Sequence, residues 1–126
     1  NSGEMSRSFT YIDDAIELVS RLIKKPIISD EKFNRSEPNA ATSWAPHKIL
    51  NIGSSVNVKL LDFIETLEKE LGIKAIKELK PMQQGDVVNT SANCELIQDF
   101  AGNINLTSIE NGVKKFVEWY KDYYNY

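Results

Sequence analysis

Four stretches of the chain carry side chains able to recognise or transform a ligand. The first is RSFTYIDD, residues 7–14, in which a guanidinium precedes two aromatics and two carboxylates. A guanidinium presents a rigid fork of N–H donors, so Arg7 suits a phosphate or a carboxylate, and a helix opening just after it adds oriented backbone donors. From spacing alone, a solvated or ion-paired surface arginine is the more ordinary reading. Asp13 and Asp14 do not read as an acid–base pair, because neighbours on a helix point about 100° apart. Their place is at a helix start, where a carboxylate complements the dipole. The second stretch is MQQGDVV, residues 82–88. There Gly85 permits close backbone approach, Gln83 and Gln84 offer amides, and Asp86 offers two acceptor oxygens suited to vicinal hydroxyls of a ribose. A polar turn is the plain alternative. Third, His47 is the only histidine and Cys94 the only cysteine; the first reads as a surface residue, the second as a small buried apolar side chain. Last comes the aromatic end WYKDYYNY, which suits core packing or a partner contact.

What is missing narrows the field. A single histidine excludes multi-histidine metal sites, and the sequence contains no nucleophile elbow, Walker loop or EF-hand. With 15 basic residues against 18 acidic ones, the formal net charge is −3 and no basic stripe forms, so no nucleic-acid partner is expected. The apolar runs are far below the ~20 residues of a membrane span, and no leader pattern is visible, so neither membrane nor export is expected. One unpaired cysteine suits a reducing compartment, which leads to a cytoplasmic expectation.

The positioning elements follow from period and punctuation. A helix capped by Asp13 or Asp14 is expected to turn Ile12, Ala15, Ile16, Val19, Leu22 and Ile23 inward and to stop before Pro26. Residues 29–46 read as a surface loop anchored at Trp44. KILNIG, residues 48–53, reads as a buried strand. Asn57 is expected to cap a helix with Leu60, Leu61, Ile64, Leu67 and Leu71 in one stripe, ended by Gly72. Residues 73–79 read as a strand. Ser91 is expected to cap a short helix to Phe100, with Ala92, Leu96 and Phe100 inward. Thr107 to Glu110 has capping-box spacing and opens a helix with Ile109, Val113, Phe116, Val117 and Tyr120 on one face. The result is an α/β chain with too few strands for a self-sufficient sheet, as though it were part of something larger.

Taken in order, RSFTYIDD, APHKILNIG, PMQQGDV and FVEWYKDYY resemble the C-terminal portion of the extended short-chain dehydrogenase/reductase family. Within it they are most similar to nucleotide-sugar 4-epimerases of the bacterial UDP-glucuronate type. The resemblance spans residues 1–126 as one substrate-binding domain and roughly the last third of such an enzyme. It implies the C-terminal part of an NAD-dependent epimerase fold, mainly helices with two or three short strands and no Rossmann domain. The family's glycine-rich NAD loop and Tyr-x-x-x-Lys pair are absent from these residues. NAD is therefore implied for the full-length parent and not for this chain alone, with no catalytic residue here and no activity expected of the isolated chain. The resemblance also implies that Arg7 contacts the diphosphate of a UDP-sugar and that Asp86 binds its ribose. Gln83 stands where some epimerases carry a second diphosphate-binding arginine. Ser8 and Asn93 replace the family's commoner aspartates. The implied partners are the UDP-sugar and the missing N-terminal Rossmann domain, with a homodimer as one consequence of apolar faces left uncovered. Other readings are a stand-alone nucleotide-sugar-binding or protein-interaction module, or a UDP-sugar dehydratase or decarboxylase of the same family.

Overall fold

The computed structural model describes residues 2–126. Its sheet is small. Strand β1 (Ser6–Ser8) lies between β2 (Asn57–Lys59) and β3 (Asn89–Thr90), antiparallel to the first and parallel to the second. Arg7 is the central residue, opposite Val58 on one side and Thr90 on the other. Four helices supply the bulk: α1 (Ile12–Ile23), α2 (Leu60–Leu71), α3 (Glu95–Ala101) and α4 (Ile109–Tyr124). The class is the expected one, α/β and mainly helical with short strands.

The strands lie elsewhere than expected. Residues 48–53 form no ladder, although Leu50 and Ile52 pack against the core and Thr42 and Lys48 make a lone bridge. Residues 73–79 are also irregular. A strand exists only where a neighbour takes up its N–H and C=O groups. Among the described residues, the run 48–53 gains only the bridge at Lys48 and a bond from the Ile49 N–H to the Ala41 carbonyl, too little to extend a ladder. The three strands that do form are two or three residues long, too short to leave a period in the sequence.

The helix starts shift for similar reasons. Tyr11, not Asp13 or Asp14, is the N-cap of α1, with no side-chain cap bond. The Asp14 carboxylate instead accepts from the Thr107 N–H at 2.7 Å and from Thr107 Oγ1 at 2.9 Å, tying α1 to the segment before α4. With Thr107 so occupied, Ser108 becomes the N-cap of α4 and its Oγ accepts from the Asn111 N–H at 3.3 Å. Helix α2 is capped by Lys59, because Asn57 is taken into β2. Helix α3 begins after Cys94, not Ser91, and Asn93 Oδ1 accepts from the Glu95 N–H at 2.9 Å. An asparagine serves there as well as the commoner aspartate would. Gly72 ends α2 at a φ of +75°, as its position in the sequence suggests.

The core is modest. Leu18, Cys94, Ile97 and Ala101 are buried together, flanked by Leu22, Leu50, Ile52, Ala92 and Ile104. Helix α4 packs on α2 and buries Val113 and Val117. Phe9 stacks on Phe63 with ring centroids 4.5 Å apart, joining the end of β1 to α2. Arg21 of α1 and Lys25 just beyond it donate to carbonyls at the end of α3, satisfying acceptors that a helix C-terminus leaves open.

Much of the apolar surface stays uncovered. On α1 the buried residue is Leu18, while Ile12, Ile16 and Ile23 are 62%, 57% and 82% exposed and Val19 also faces out. Leu96, Phe116 and Tyr120 are likewise exposed, against expectation. Periodicity locates an apolar stripe but not what covers it. The chain exposes 9663 Å², whereas a compact monomer of its 14.3 kDa exposes about 6,800 Å².

Candidate functional site

Strand β1 brings two of the sequence-predicted site residues into contact. Arg7 projects from the central strand over the loop that leads into β3. Its Nη2 donates to Asp86 Oδ1 at 3.0 Å and to the Val87 carbonyl at 2.8 Å. Its Nη1 donates to the carbonyls of Ser6 at 2.9 Å and Val88 at 3.0 Å. The ion pair is partly open to solvent, with side chains 28% and 34% exposed. Asp86 Oδ1 also accepts from the Val87 N–H at 2.8 Å. On the strand itself, Ser6 Oγ donates to Asn89 Oδ1 at 2.6 Å, holding β1 to β3.

Gln83 belongs to the same turn. Its carbonyl accepts from the Asp86 N–H at 3.2 Å, and Gly85 takes a φ of +86°. A β-carbon resists that angle, so the glycine is what permits the turn. Gln83 and Asp86 are among the residues lining a groove of about 660 Å³ between α2 and residues 73–81. Its remaining wall is largely apolar, with Leu61, Ile64, Leu67 and Leu79 among the lining residues. A largely apolar groove that carries some polar groups is a usual form for a small-molecule site.

One feature of the groove was not anticipated from the sequence. Glu68 of α2 is buried, and its carboxylate takes Lys74 Nζ at 2.8 Å, the Ala75 N–H at 2.9 Å and Lys77 Nζ. Lys74, Lys77 and the Ala75 N–H together hold the carboxyl far below its ordinary 4.5, at about 2. Glu68 in turn raises Lys74. This clamp pins residues 74–77 over α2 and thereby builds the groove wall. The sequence did hold a signal. Glu68 lies one helical turn beyond Ile64 and one turn before Leu71, on the apolar stripe of α2, and a charge in that phase calls for partners.

The other singled-out residues lie apart from this site. His47 is exposed in the loop before Lys48, and Cys94 is buried in the core. Trp44 is exposed and lies under Arg35, whose guanidinium is 5.4 Å from the ring centroid. The aromatic end of α4 is a ladder of exposed rings, including Trp119 on Tyr123 at 5.4 Å and Tyr120 on Tyr124 at 4.8 Å. Among the described residues no cluster of His, Cys, Asp and Glu is arranged to hold a metal ion, and no helix is long and apolar enough to cross a membrane.

No protein-family model matches the chain. Over 127 residues it is 42% identical to Protein CapI of Staphylococcus aureus, covering 98% of this chain and 37% of that protein. Over 126 residues it is 44% identical to a probable UDP-glucuronate 4-epimerase of Rhizobium meliloti (strain 1021), covering 97% and 36% respectively. Among solved structures, the UDP-glucuronic acid 4-epimerase of Bacillus cereus in complex with UDP-glucuronic acid and NAD matches with a TM-score of 0.73. That match covers 98% of this chain and 34% of the other at 23% identity, a likeness of fold. The chain thus spans a little over a third of the length of the curated relatives it matches. The resemblance read from the four motifs is borne out: over nearly its whole length the chain is similar to one portion of UDP-glucuronate 4-epimerase-like proteins, and its fold is that of part of such a chain.

Proposed function

We propose that this chain is the UDP-sugar-binding, C-terminal portion of a longer NAD-dependent nucleotide-sugar epimerase that inverts C4 of UDP-glucuronate or a close relative. The observation that carries this reading is the contact between Arg7 and Asp86, the latter of which also lines a largely apolar groove together with Gln83. On this reading, Arg7 serves the diphosphate, Asp86 the ribose hydroxyls, and Gln83 lies along the phosphates. These residues do no bond-breaking. They supply binding energy remote from the reacting carbon, which holds the sugar in place.

The residues present do not fit NAD. The glycines at 3, 53, 72, 85, 102 and 112 are scattered and supply no dinucleotide loop between a strand and a helix. Contacts to NAD therefore fall to the remaining length of the parent. The bare apolar stripe of α1 and an exposed area well above that of a compact monomer support a large covering partner, for which the rest of the parent chain is the natural candidate. In its absence two copies are expected to cover each other as a homodimer. The lone buried Cys94 suits a reducing cytoplasm.

Titration calorimetry with UDP tests the binding role. The wild-type chain is expected to bind UDP, and both Arg7→Ala and Arg7→Lys to weaken binding by about tenfold or more, since a lysine keeps the charge but loses the fork. Absence of UDP binding, or equal binding by all three chains, would overturn the reading.

A further inference from the structure

We infer that Asp86 occupies the anion-binding edge of Arg7, so that a diphosphate enters by exchange with the Asp86 carboxylate. The inference rests on the functional reading above and adds a gate to it. Arg7 already engages its fork within the protein: both terminal nitrogens donate, three times to carbonyls of residues 6, 87 and 88 and once to Asp86. The three carbonyls belong to the strand and the loop and fix where the guanidinium sits. Asp86 is the only charged member of that set, and its geometry on Nη2 is that of a ligand oxygen. A phosphate and a carboxylate cannot share one donor edge without repulsion between like charges. A diphosphate seated on Arg7 therefore displaces Asp86 from it.

The displaced carboxylate has somewhere to go. Asp86 lies in a turn that hinges at Gly85, and it lines the groove with Gln83. Turned into the groove, it becomes the acceptor for the ribose hydroxyls. Phosphate capture and ribose capture are then one event: the diphosphate releases the group that grips the sugar next to it. The arrangement discriminates against bare anions, because inorganic phosphate or pyrophosphate must displace Asp86 and gains no ribose contact in return. Asp86 acts here through Arg7 as a positioning residue as well as through the nucleotide.

Calorimetric titration of the wild-type chain and Asp86→Asn with two probes, pyrophosphate and UDP, tests this, with circular dichroism confirming that both chains are folded. Asp86→Asn is expected to bind pyrophosphate at least about fivefold more tightly, the worth of one like charge removed at about 4 Å in a solvated setting. UDP is expected to gain less than pyrophosphate or to weaken, so that the preference for UDP shrinks. A variant that binds pyrophosphate no better than wild type, while wild type still binds UDP, overturns the exchange and leaves the functional reading intact. Failure of both chains to bind either probe overturns both. Should Asp86→Asn not fold, amide spectra of the wild-type chain decide: pyrophosphate is expected to shift the Val87 N–H, which loses its Asp86 Oδ1 acceptor, and an unmoved Val87 signal under saturating probe overturns the exchange.

Discussion

Gly53, the glycine of the NIG motif, is buried where the chain passes under the segment that precedes α3. A methyl group at this position would lie 2.8 Å from the Ala92 methyl and 3.6 Å from Cys94 Sγ. Carbon atoms in contact sit about 3.5–4.0 Å apart, so the first distance is a collision between two groups fixed to the backbone. Neither can turn away, and one segment must move. Overpacking of this kind costs about 1–3 kcal/mol. Gly53 does not use a positive φ, so alanine recovers about 0.4–1 kcal/mol by restricting the unfolded chain. The net expectation for Gly53→Ala is a loss of about 1–2 kcal/mol, or roughly 0.5–1 M in the urea midpoint for a small domain. Ala92→Gly removes the opposing methyl, so Gly53→Ala should cost little or nothing in that background, and the two substitutions should couple by more than about 0.5 kcal/mol. A Gly53→Ala chain that unfolds at the wild-type urea concentration, or an equal penalty with and without Ala92→Gly, would refute the packing argument.

Other outcomes follow from single contacts. Glu68 is held at about 2 against an ordinary 4.5, so its contribution is present above the ordinary value and is lost as pH falls from there towards 2. Thermal melts between those limits should show a stability decline that is reduced in Glu68→Gln, and an identical pH profile in both chains would contradict the clamp. Asp14→Ala removes both bonds to Thr107 and should cost about 1–3 kcal/mol, with faster amide exchange at the start of α4 as its local signature. Ser108→Ala should cost about 1 kcal/mol in urea melts, and the Asn111 amide, whose side-chain acceptor it removes, should exchange faster in that variant.

The sequence carried α1, α2 and α4 well because their stripes run for three or four turns. It placed Leu60, Leu61, Ile64 and Leu71 on one helix and ended it at Gly72, where the structure also ends it. It misjudged the caps, since Asp14 and Asn57 were each claimed by a distant partner, Thr107 for one and β1 for the other. Short-range patterns cannot report a contact that spans 93 residues. The strands failed for the same reason: Arg7 pairs with Val58 and Thr90 because of where the chain returns, not because Ser6, Arg7 and Ser8 favour extension. The exposed faces of Ile12, Ile16 and Phe116 carry a different lesson. An apolar stripe records a burial that the sequence requires, and in this chain part of that burial has no partner among the described residues. For the candidate site, Arg7, Gln83 and Asp86 could be singled out as residue types, while the direct Arg7–Asp86 pair and the Glu68 clamp could not.

The most direct test of the account is to isolate the natural polypeptide that contains this chain and incubate it with UDP-glucuronate, following C4 inversion by proton NMR. The natural polypeptide is expected to be roughly two to three times this length, on the usual prior of about 100–200 residues per domain. It should convert UDP-glucuronate to its C4 epimer, while the 126-residue chain alone does not. A natural polypeptide that leaves UDP-glucuronate and related UDP-sugars unchanged, or turnover by the 126-residue chain alone, would contradict it.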